Sequence, residues 1–420
     1  MISKLVRFAV RTFFREVLIE GSDHLPSGGP AIFAPNHPNG LLDPMLLFFI
    51  SHSFRLRFVA KAPLFRIPLF GALLRSMGAI PVVRKFEASG EVDYNAFFSS
   101  CVDALAAGDC VVIFPEGRSL PQSYLAPLKT GPARLFLQAR SRNIISKIIP
   151  VGLNYEKGTT FRSRVLICVA PPVDTSAAER IENTSAAVRQ LTTDLSDSLE
   201  KHVVQAETYR ERELMILLER ITLSQKREYT ELERFSRLKG LEDGLVKLRE
   251  KASGEIEALR NLLSRYERLC ETYSIDGHAR PASKSFVLPA IAGAALAIPG
   301  WIFNLLPYQL IALLIKVTRR DASDIATFKV IYSLFLFPLT YVAEALLISR
   351  FTAPVFAWLF ALLIIPLSYF TLYFLEWYDR HFAGSLWFGY QKRVVHQLDR
   401  LRKRILAQME KLASHPELQQ

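Results

Sequence analysis

The 420-residue chain is half hydrophobic, with a mean hydropathy of +0.18, and its 52 Lys and Arg against 40 Asp and Glu give a net charge of +12. Its length points to two or three units, and the basic, apolar balance favours an anionic membrane surface and argues against nucleic acid as partner. The four cysteines, Cys101, Cys110, Cys168 and Cys270, are scattered without metal-ligand spacing or a disulfide framework, so a cytosolic polar domain without a metal is expected.

Residues 1–18 carry Ile2, Leu5, Val6, Ala9, Val10, Phe13 and Val17 at helical spacing, with Lys4, Arg7, Arg11 and Arg15 mostly on the other side. This predicts an amphipathic helix lying in a membrane interface, or else a helix packed on the domain's own core. The arginines interrupt the apolar stretch, so no secretory leader is expected. From 19 to 175, short apolar strands alternate with amphipathic helices, the pattern of an α/β domain. Expected strands are 32–34, 58–60, 80–83, 111–114, 148–153 and 165–169, with a helix over 92–107 that Gly108 ends.

Within this region Ala34-Pro35-Asn36-His37-Pro38-Asn39-Gly40-Leu41-Leu42-Asp43-Pro44 reads as strand, tight turn and helix start. A carboxylate in the first helical turn can reach back to one imidazole nitrogen of His37 and leave the other free to take a proton. On this stretch alone, a loop histidine beside an N-cap aspartate is the plainer account. His24, His278, His381 and His396 also have acidic neighbours, but none has a strand–turn–helix setting.

Residues 176–275 lose proline and gain charge. Leu238, Leu241, Leu245, Leu248, Ala252, Ile256, Leu259, Leu262, Tyr266 and Leu269 follow steps of three and four, a coiled-coil-like seam or helical hairpin through which the chain is expected to self-associate. A polar linker over 274–284 precedes an uncharged run. Pro299-Gly300 and Pro307 suggest that 285–317 is a broken, re-entrant membrane segment. Two further apolar runs over 328–376 read as a transmembrane hairpin, and 388–412 as a basic amphipathic helix.

Three further blocks bear on His37. They are Ile80-Pro81-Val82-Val83-Arg84, Phe114-Pro115-Glu116-Gly117-Arg118-Ser119 with Lys129-Thr130-Gly131 after it, and Ile149-Pro150-Val151-Gly152-Leu153. With the His37–Asp43 block, these four in this order resemble the glycerophospholipid acyltransferase superfamily over about residues 30–155. The H-x(5)-D spacing, in place of the commoner H-x(4)-D, resembles its glycerol-3-phosphate/dihydroxyacetone-phosphate acyltransferase branch. Asn39 and Pro44 match that branch, as do the helical insert and C-terminal membrane segments. The third block lacks the family's Thr before Arg118.

The resemblance implies a central mixed sheet flanked by helices, a coiled-coil-like insert and C-terminal transmembrane helices. It implies a membrane-bound O-acyltransferase of phospholipid biosynthesis, and the positive charge flanking the apolar segments predicts a catalytic domain on the cytoplasmic face. The acyl donor is acyl-CoA or acyl-carrier protein, with no further cofactor. The chemistry is consistent with the residues themselves. His37 suits a general base and Asp43 its orienting anion. Arg84 and Arg118 lie just after strand ends, where a ligand crevice opens, and suit a phosphate. Lys61 and Lys129 are further phosphate candidates or merely solvated lysines. Asn36 and Asn39 are supporting residues. Glu116 is expected to hold Arg118, a backbone N–H or the acceptor hydroxyl, and Gly117 to permit a close backbone approach. The acceptor is glycerol 3-phosphate or dihydroxyacetone phosphate, alternatively 1-acylglycerol 3-phosphate. A non-catalytic membrane scaffold is the other class of reading, against which the set His37, Asp43, Arg84 and Arg118 argues.

Overall fold

The structure is a computed structural model that describes residues 2–51, 53–68, 70–83, 94–120, 122–223, 230–273, 287–319, 321, 323–382 and 391–418. The chain divides into two compact units: 1–208 together with 321–327, and 209–320 together with 328–420.

The first unit runs α1 (Ile2–Phe13), β1 (Glu16–Glu20), β2 (Ala31–Pro35), α2 (Leu42–Leu47), β3 (Leu56–Lys61), α3 (Phe70–Ser76), β4 (Ile80–Val82), α4 (Asn95–Ala106), β5 (Cys110–Val112), α5 (Gly131–Ser141), β6 (Lys147–Tyr155), β7 (Arg164–Val169), α6 (Ser176–Glu179) and α7 (Thr184–His202). The strands form one seven-stranded sheet in the order β1-β7-β6-β2-β5-β3-β4. All neighbours pair in parallel except β6 with β7, so the sheet is mixed. β2 is buried along its whole length, as its uninterrupted apolar run Ala31-Ile32-Phe33-Ala34-Pro35 requires of a strand covered on both faces. Because β2, β3, β4, β5 and β6 are parallel, their C-terminal ends share one edge of the sheet. His37, Lys61, Glu116 and Tyr155 all lie at or just beyond those ends.

The structure corrects the sequence reading in this unit at two boundaries. The amphipathic helix expected over 1–18 ends at Phe13, and Glu16–Glu20 is an edge strand whose Val17 pairs with Val165 and Ile19 with Ile167. One face of α1 is core: Val10, Phe13 and Phe14 just beyond it are buried, while Leu5 and Phe8 stay more than half exposed. Arg7 donates to the carbonyls of Phe48 and Ser51, and the Arg11 guanidinium sits 5.5 Å from the Phe49 ring centre. The domain boundary expected at 175 also moves. α7 carries Leu191, Leu195 and Leu199 on one stripe, all at most 1% exposed and packed with Ile32, Val111 and Ile148. Each such burial is worth roughly 1.5–3 kcal/mol, so α7 is core of this unit and not part of a separate coiled coil.

The second unit contains α8 (Tyr209–Leu223), α9 (Glu231–Leu248), α10 (Ser253–Thr272), α11 (Val287–Thr318), α12 (Ile325–Phe351) from Phe328 onward, α13 (Pro354–Phe382) and α14 (Gln391–Ala413). The expected seam is split between α9, which opens with a Thr230–Glu233 capping box, and α10. Its apolar face is occupied within the same chain. Ile256, Leu259, Leu263 and Tyr266 are buried with Val394, Leu398, Leu401 and Ile405 of α14. The seam expected to associate two copies and the C-terminal basic amphipathic helix therefore bury each other's apolar stripes.

The helices α11, α12 and α13 are long and apolar enough to cross a membrane. The break expected in 285–317 is absent from the described residues: Val287–Thr318 is one helix through Pro299 and Pro307. Carbonyls around Pro299 find side-chain donors, Thr371 Oγ1 to Ala297 O at 3.0 Å and Asn304 Nδ2 to Gly300 O at 2.6 Å. The expected 328–376 hairpin is two helices whose long seam lies elsewhere. α13 runs antiparallel along α11, with Gly293 against Phe374 and Gly300 against Leu367 and Thr371, close approaches that a Cβ would block. Tyr341 of α12 joins through hydrogen bonds with Asn304 and Ser368.

Candidate active site

β2 ends at Pro35, and Asn36 ties the start of the next turn to β6. Its side chain donates to Leu153 O at 3.2 Å and accepts from Leu153 N–H at 2.6 Å, and its own N–H donates to Val151 O. The chain then turns through His37-Pro38-Asn39-Gly40, with Gly40 at φ +52°, a left-handed conformation that glycine adopts at least cost. The helix α2 starts at Leu42 and places Asp43 in its first turn.

This turn brings His37 Nδ1 to 2.7 Å from Asp43 Oδ2. Asp43 is completely buried. The same Oδ2 accepts the Asn39 N–H at 2.7 Å, and Oδ1 accepts the Tyr155 hydroxyl at 2.5 Å. A buried carboxylate needs donors at this density, and these three supply them. Tyr155 ends β6, and burial, then the neighbouring Asp43 charge, push its hydroxyl well above the ordinary tyrosine range, so it stays a donor. Asn39 is held from its other end by Nδ2 donating to Gly158 O at 2.9 Å. His37 keeps 14% of its side chain exposed, and Nε2 has no hydrogen-bond partner among the described residues.

The segment after β5 runs alongside this turn. Phe114 stacks on the His37 imidazole with ring centres 4.0 Å apart and planes at 23°. Glu116 accepts the His37 N–H at 2.6 Å and the Ala126 N–H at 3.3 Å. Of the partners the sequence left open for it, Glu116 therefore contacts backbone N–H groups. Burial raises the Glu116 carboxyl above its ordinary value, opposed by the two N–H bonds. Leu120 N–H returns to His37 O at 3.0 Å, and Ser119 Oγ accepts the Gly40 N–H at 2.8 Å. The backbone of Arg118 is thereby fixed beside the His37 turn, since Glu116 and Leu120 on either side of it both bind His37.

Arg118, Lys61 and Lys129 are exposed, and none has an ion pair among the described residues. Lys129 lies across Gly117, where a Cβ would meet its Cγ at 3.3 Å, and Gly117 adopts φ +74°. Lys61 stands at the C-terminal end of β3, on the same sheet edge. Arg84 lies outside the described residues. Three contributors were not singled out by the sequence reading, although Phe114 and Ser119 lie within one of its blocks. Tyr155 looks like an ordinary strand aromatic, Ser119 like a loop serine, and Phe114 like the last residue of a buried strand.

The structure thus places an imidazole held by a buried carboxylate at the C-terminal edge of an open α/β sheet, an arrangement able to take a proton from a hydroxyl. Residues 16–154 match the family model described as Acyltransferase, and this segment is an acyltransferase domain of the glycerophospholipid acyltransferase superfamily. A chloroplastic 1-acyl-sn-glycerol-3-phosphate acyltransferase of Arabidopsis thaliana is 28% identical over 180 residues, 40% of this chain and 47% of that protein. Glycerol-3-phosphate O-acyltransferase 1 of Saccharomyces cerevisiae is 26% identical over 147 residues, 33% of this chain and 19% of that protein. The chain therefore spans less than half the length of either relative. The crystal structure of a 1-acyl-sn-glycerophosphate acyltransferase from Thermotoga maritima aligns at 17% identity with a TM-score of 0.35, covering 48% of this chain and 79% of that one.

Proposed function

We propose that the chain transfers a fatty acyl group from acyl-CoA or acyl-carrier protein to the hydroxyl of glycerol 3-phosphate or dihydroxyacetone phosphate at a membrane surface. The observation that carries this reading is the 2.7 Å contact of His37 Nδ1 with the buried Asp43, which leaves Nε2 as the open nitrogen. Nε2 takes the acceptor's hydroxyl proton as its oxygen attacks the thioester carbonyl. The imidazolium is stabilised by Asp43 and returns the proton as the tetrahedral intermediate collapses and the thiol leaves. The H-x(5)-D spacing and the yeast relative's name support a glycerol phosphate acceptor; the plant relative's name supports 1-acylglycerol 3-phosphate as a second reading. The deciding assay is purified protein with labelled acyl-CoA and the three acceptors side by side. Turnover confined to 1-acylglycerol 3-phosphate would replace the first reading with the second, and no turnover on any acceptor would end both.

The phosphate reading makes its own prediction. Arg118→Ala and Arg84→Ala should each weaken the phosphorylated acceptor by about 1.5–3 kcal/mol, the scale of a hydrogen bond to a charged group. Glycerol itself, used as a poor acceptor, should be indifferent to both. Equal damage with glycerol would make these arginines structural.

The catalytic unit is proposed to face the cytoplasm. Lys316, Arg319 and Arg320 precede α12, whereas Arg350 alone marks its other end. In a background without the four native cysteines, Ser100→Cys and Asp321→Cys, both at exposed positions of the first unit, should react with an impermeant thiol reagent from the cytoplasmic side only. Ser349→Cys should react from the other. Far-side labelling of Asp321→Cys would reverse the orientation.

A further inference from the structure

Three successive backbone N–H groups in the turn between His37 and Asp43 each donate to a side-chain oxygen. Asn39 N–H goes to Asp43 itself and Gly40 N–H to Ser119. The third, Leu41 N–H, goes to Thr327 Oγ1 at 3.0 Å, across 286 positions of sequence. Leu41 is the N-cap residue of α2, so its N–H stands at the entry to the helix that aims Asp43. Donors there have no partner within the helix and must be met from outside.

The contact with the 323–327 segment is close along the turn. A Cβ on Gly40 would lie 2.8 Å from Asp324 Oδ1, 2.8 Å from Ser323 O and 3.1 Å from Thr327 Oγ1. Ser323 and Thr327 are each 7% exposed and Ala326 is fully buried. Residues 321–327 belong to the first unit, yet in the chain they lead from α11 into the first turn of α12, and both helices are long enough to cross a bilayer.

We propose that the first turn of α12, with Ser323 and Asp324 just before it, is part of the acyltransferase site, with Thr327 as a positioning residue that fixes the turn between His37 and Asp43. The claim rests on the activity proposed above. The Thr327 hydroxyl acts through the backbone: it holds Leu41 N–H, the start of α2, and so the reach of Asp43 to His37 Nδ1. Placing this acceptor in the first turn of a membrane-length helix makes the site complete only when the chain beyond residue 208 is in place. Residues 1–208 alone would contain His37 and Asp43 but leave the third amide of the turn unmet.

The test uses the full-length protein reconstituted in phospholipid vesicles, with Thr327→Val, which keeps the shape and removes the oxygen, and Thr327→Ser, which keeps the oxygen. Two quantities are read: kcat and KM with acyl-CoA and glycerol 3-phosphate, and the rate at which diethylpyrocarbonate modifies His37, measured by peptide mass mapping. Thr327→Val should lower kcat about five- to tenfold, the rate equivalent of about one neutral hydrogen bond. KM should change less than about twofold, and His37 should be modified faster. Thr327→Ser should restore both to near wild type. Wild-type kcat and His37 reactivity in Thr327→Val would overturn the proposal. So would equal losses in both variants that track a fall in melting temperature, since the oxygen would then not be what matters. If the wild type acylates no acceptor, the activity reading falls, and the His37 modification rates still decide whether Thr327 holds the turn.

Discussion

His37→Ala is expected to lower acyl transfer by about 10²–10⁴-fold, the usual worth of a general base, while the protein folds and inserts normally. The geometry explains why the two effects separate. Removing the imidazole deletes a stacking contact with Phe114 and one of the three bonds to Asp43. Asp43 still receives the Asn39 N–H on Oδ2 and the Tyr155 hydroxyl on Oδ1, so the buried carboxylate is not stranded. The Glu116 and Leu120 bonds to residue 37 use its backbone and survive the substitution. KM for the phosphorylated acceptor should change little, because the proposed phosphate ligands are elsewhere. A variant with near-normal kcat and an unchanged melting temperature would remove His37 from the mechanism.

What the sequence made legible divides by the range of the interactions. The His37–Asp43 pair is local, six positions apart across a turn rich in Pro, Asn and Gly, and local geometry alone brings the two groups together. The strands from β2 to β7 are short apolar runs whose existence and order are visible in the chain, but their ends shift: β5 stops at Val112, short of Phe114, and β6 runs on to Tyr155. The first strand is different. Val17 continues the apolar stripe of α1, so Glu16–Glu20 reads as more helix until β7 offers it a parallel partner. Tyr155 reaches Asp43 from 112 positions away, and nothing around it in sequence distinguishes it from any strand tyrosine. The leucine seam of α10 and the apolar stripe of α14 were each visible, but periodicity says only that a face must be covered. That they cover each other is tertiary information. Proline at 299 signals a break in an isolated helix, whereas α11 runs through it with α13 packed along its length.

Asp43→Asn is the second large effect, and the hydroxyl of Tyr155 should set its size. An asparagine at this buried position can place its amide oxygen where Oδ2 accepts from His37 Nδ1–H and Asn39 N–H. Its NH₂ then faces Tyr155, whose hydroxyl can rotate and accept. In that arrangement the imidazole tautomer is kept and only the negative charge opposing imidazolium is lost. The expected fall in kcat is about 10²-fold, or about 2.7 kcal/mol, compared with the roughly 10⁴-fold loss when an Asp→Asn change also flips the tautomer. Tyr155→Phe alone removes one bond to a buried carboxylate and should cost about 1.5–3 kcal/mol of stability, with a smaller effect on rate. In the Tyr155→Phe background the amide has no acceptor for its NH₂, and nothing then keeps its oxygen toward His37. Asp43→Asn should there approach the 10⁴-fold loss, so the two substitutions should be strongly non-additive in kcat. Four proteins suffice for the measurement: wild type, each single variant and the double. Equal loss from Asp43→Asn with and without the Tyr155 hydroxyl would show that Tyr155 does not orient the group at position 43, and its part in the site would reduce to packing.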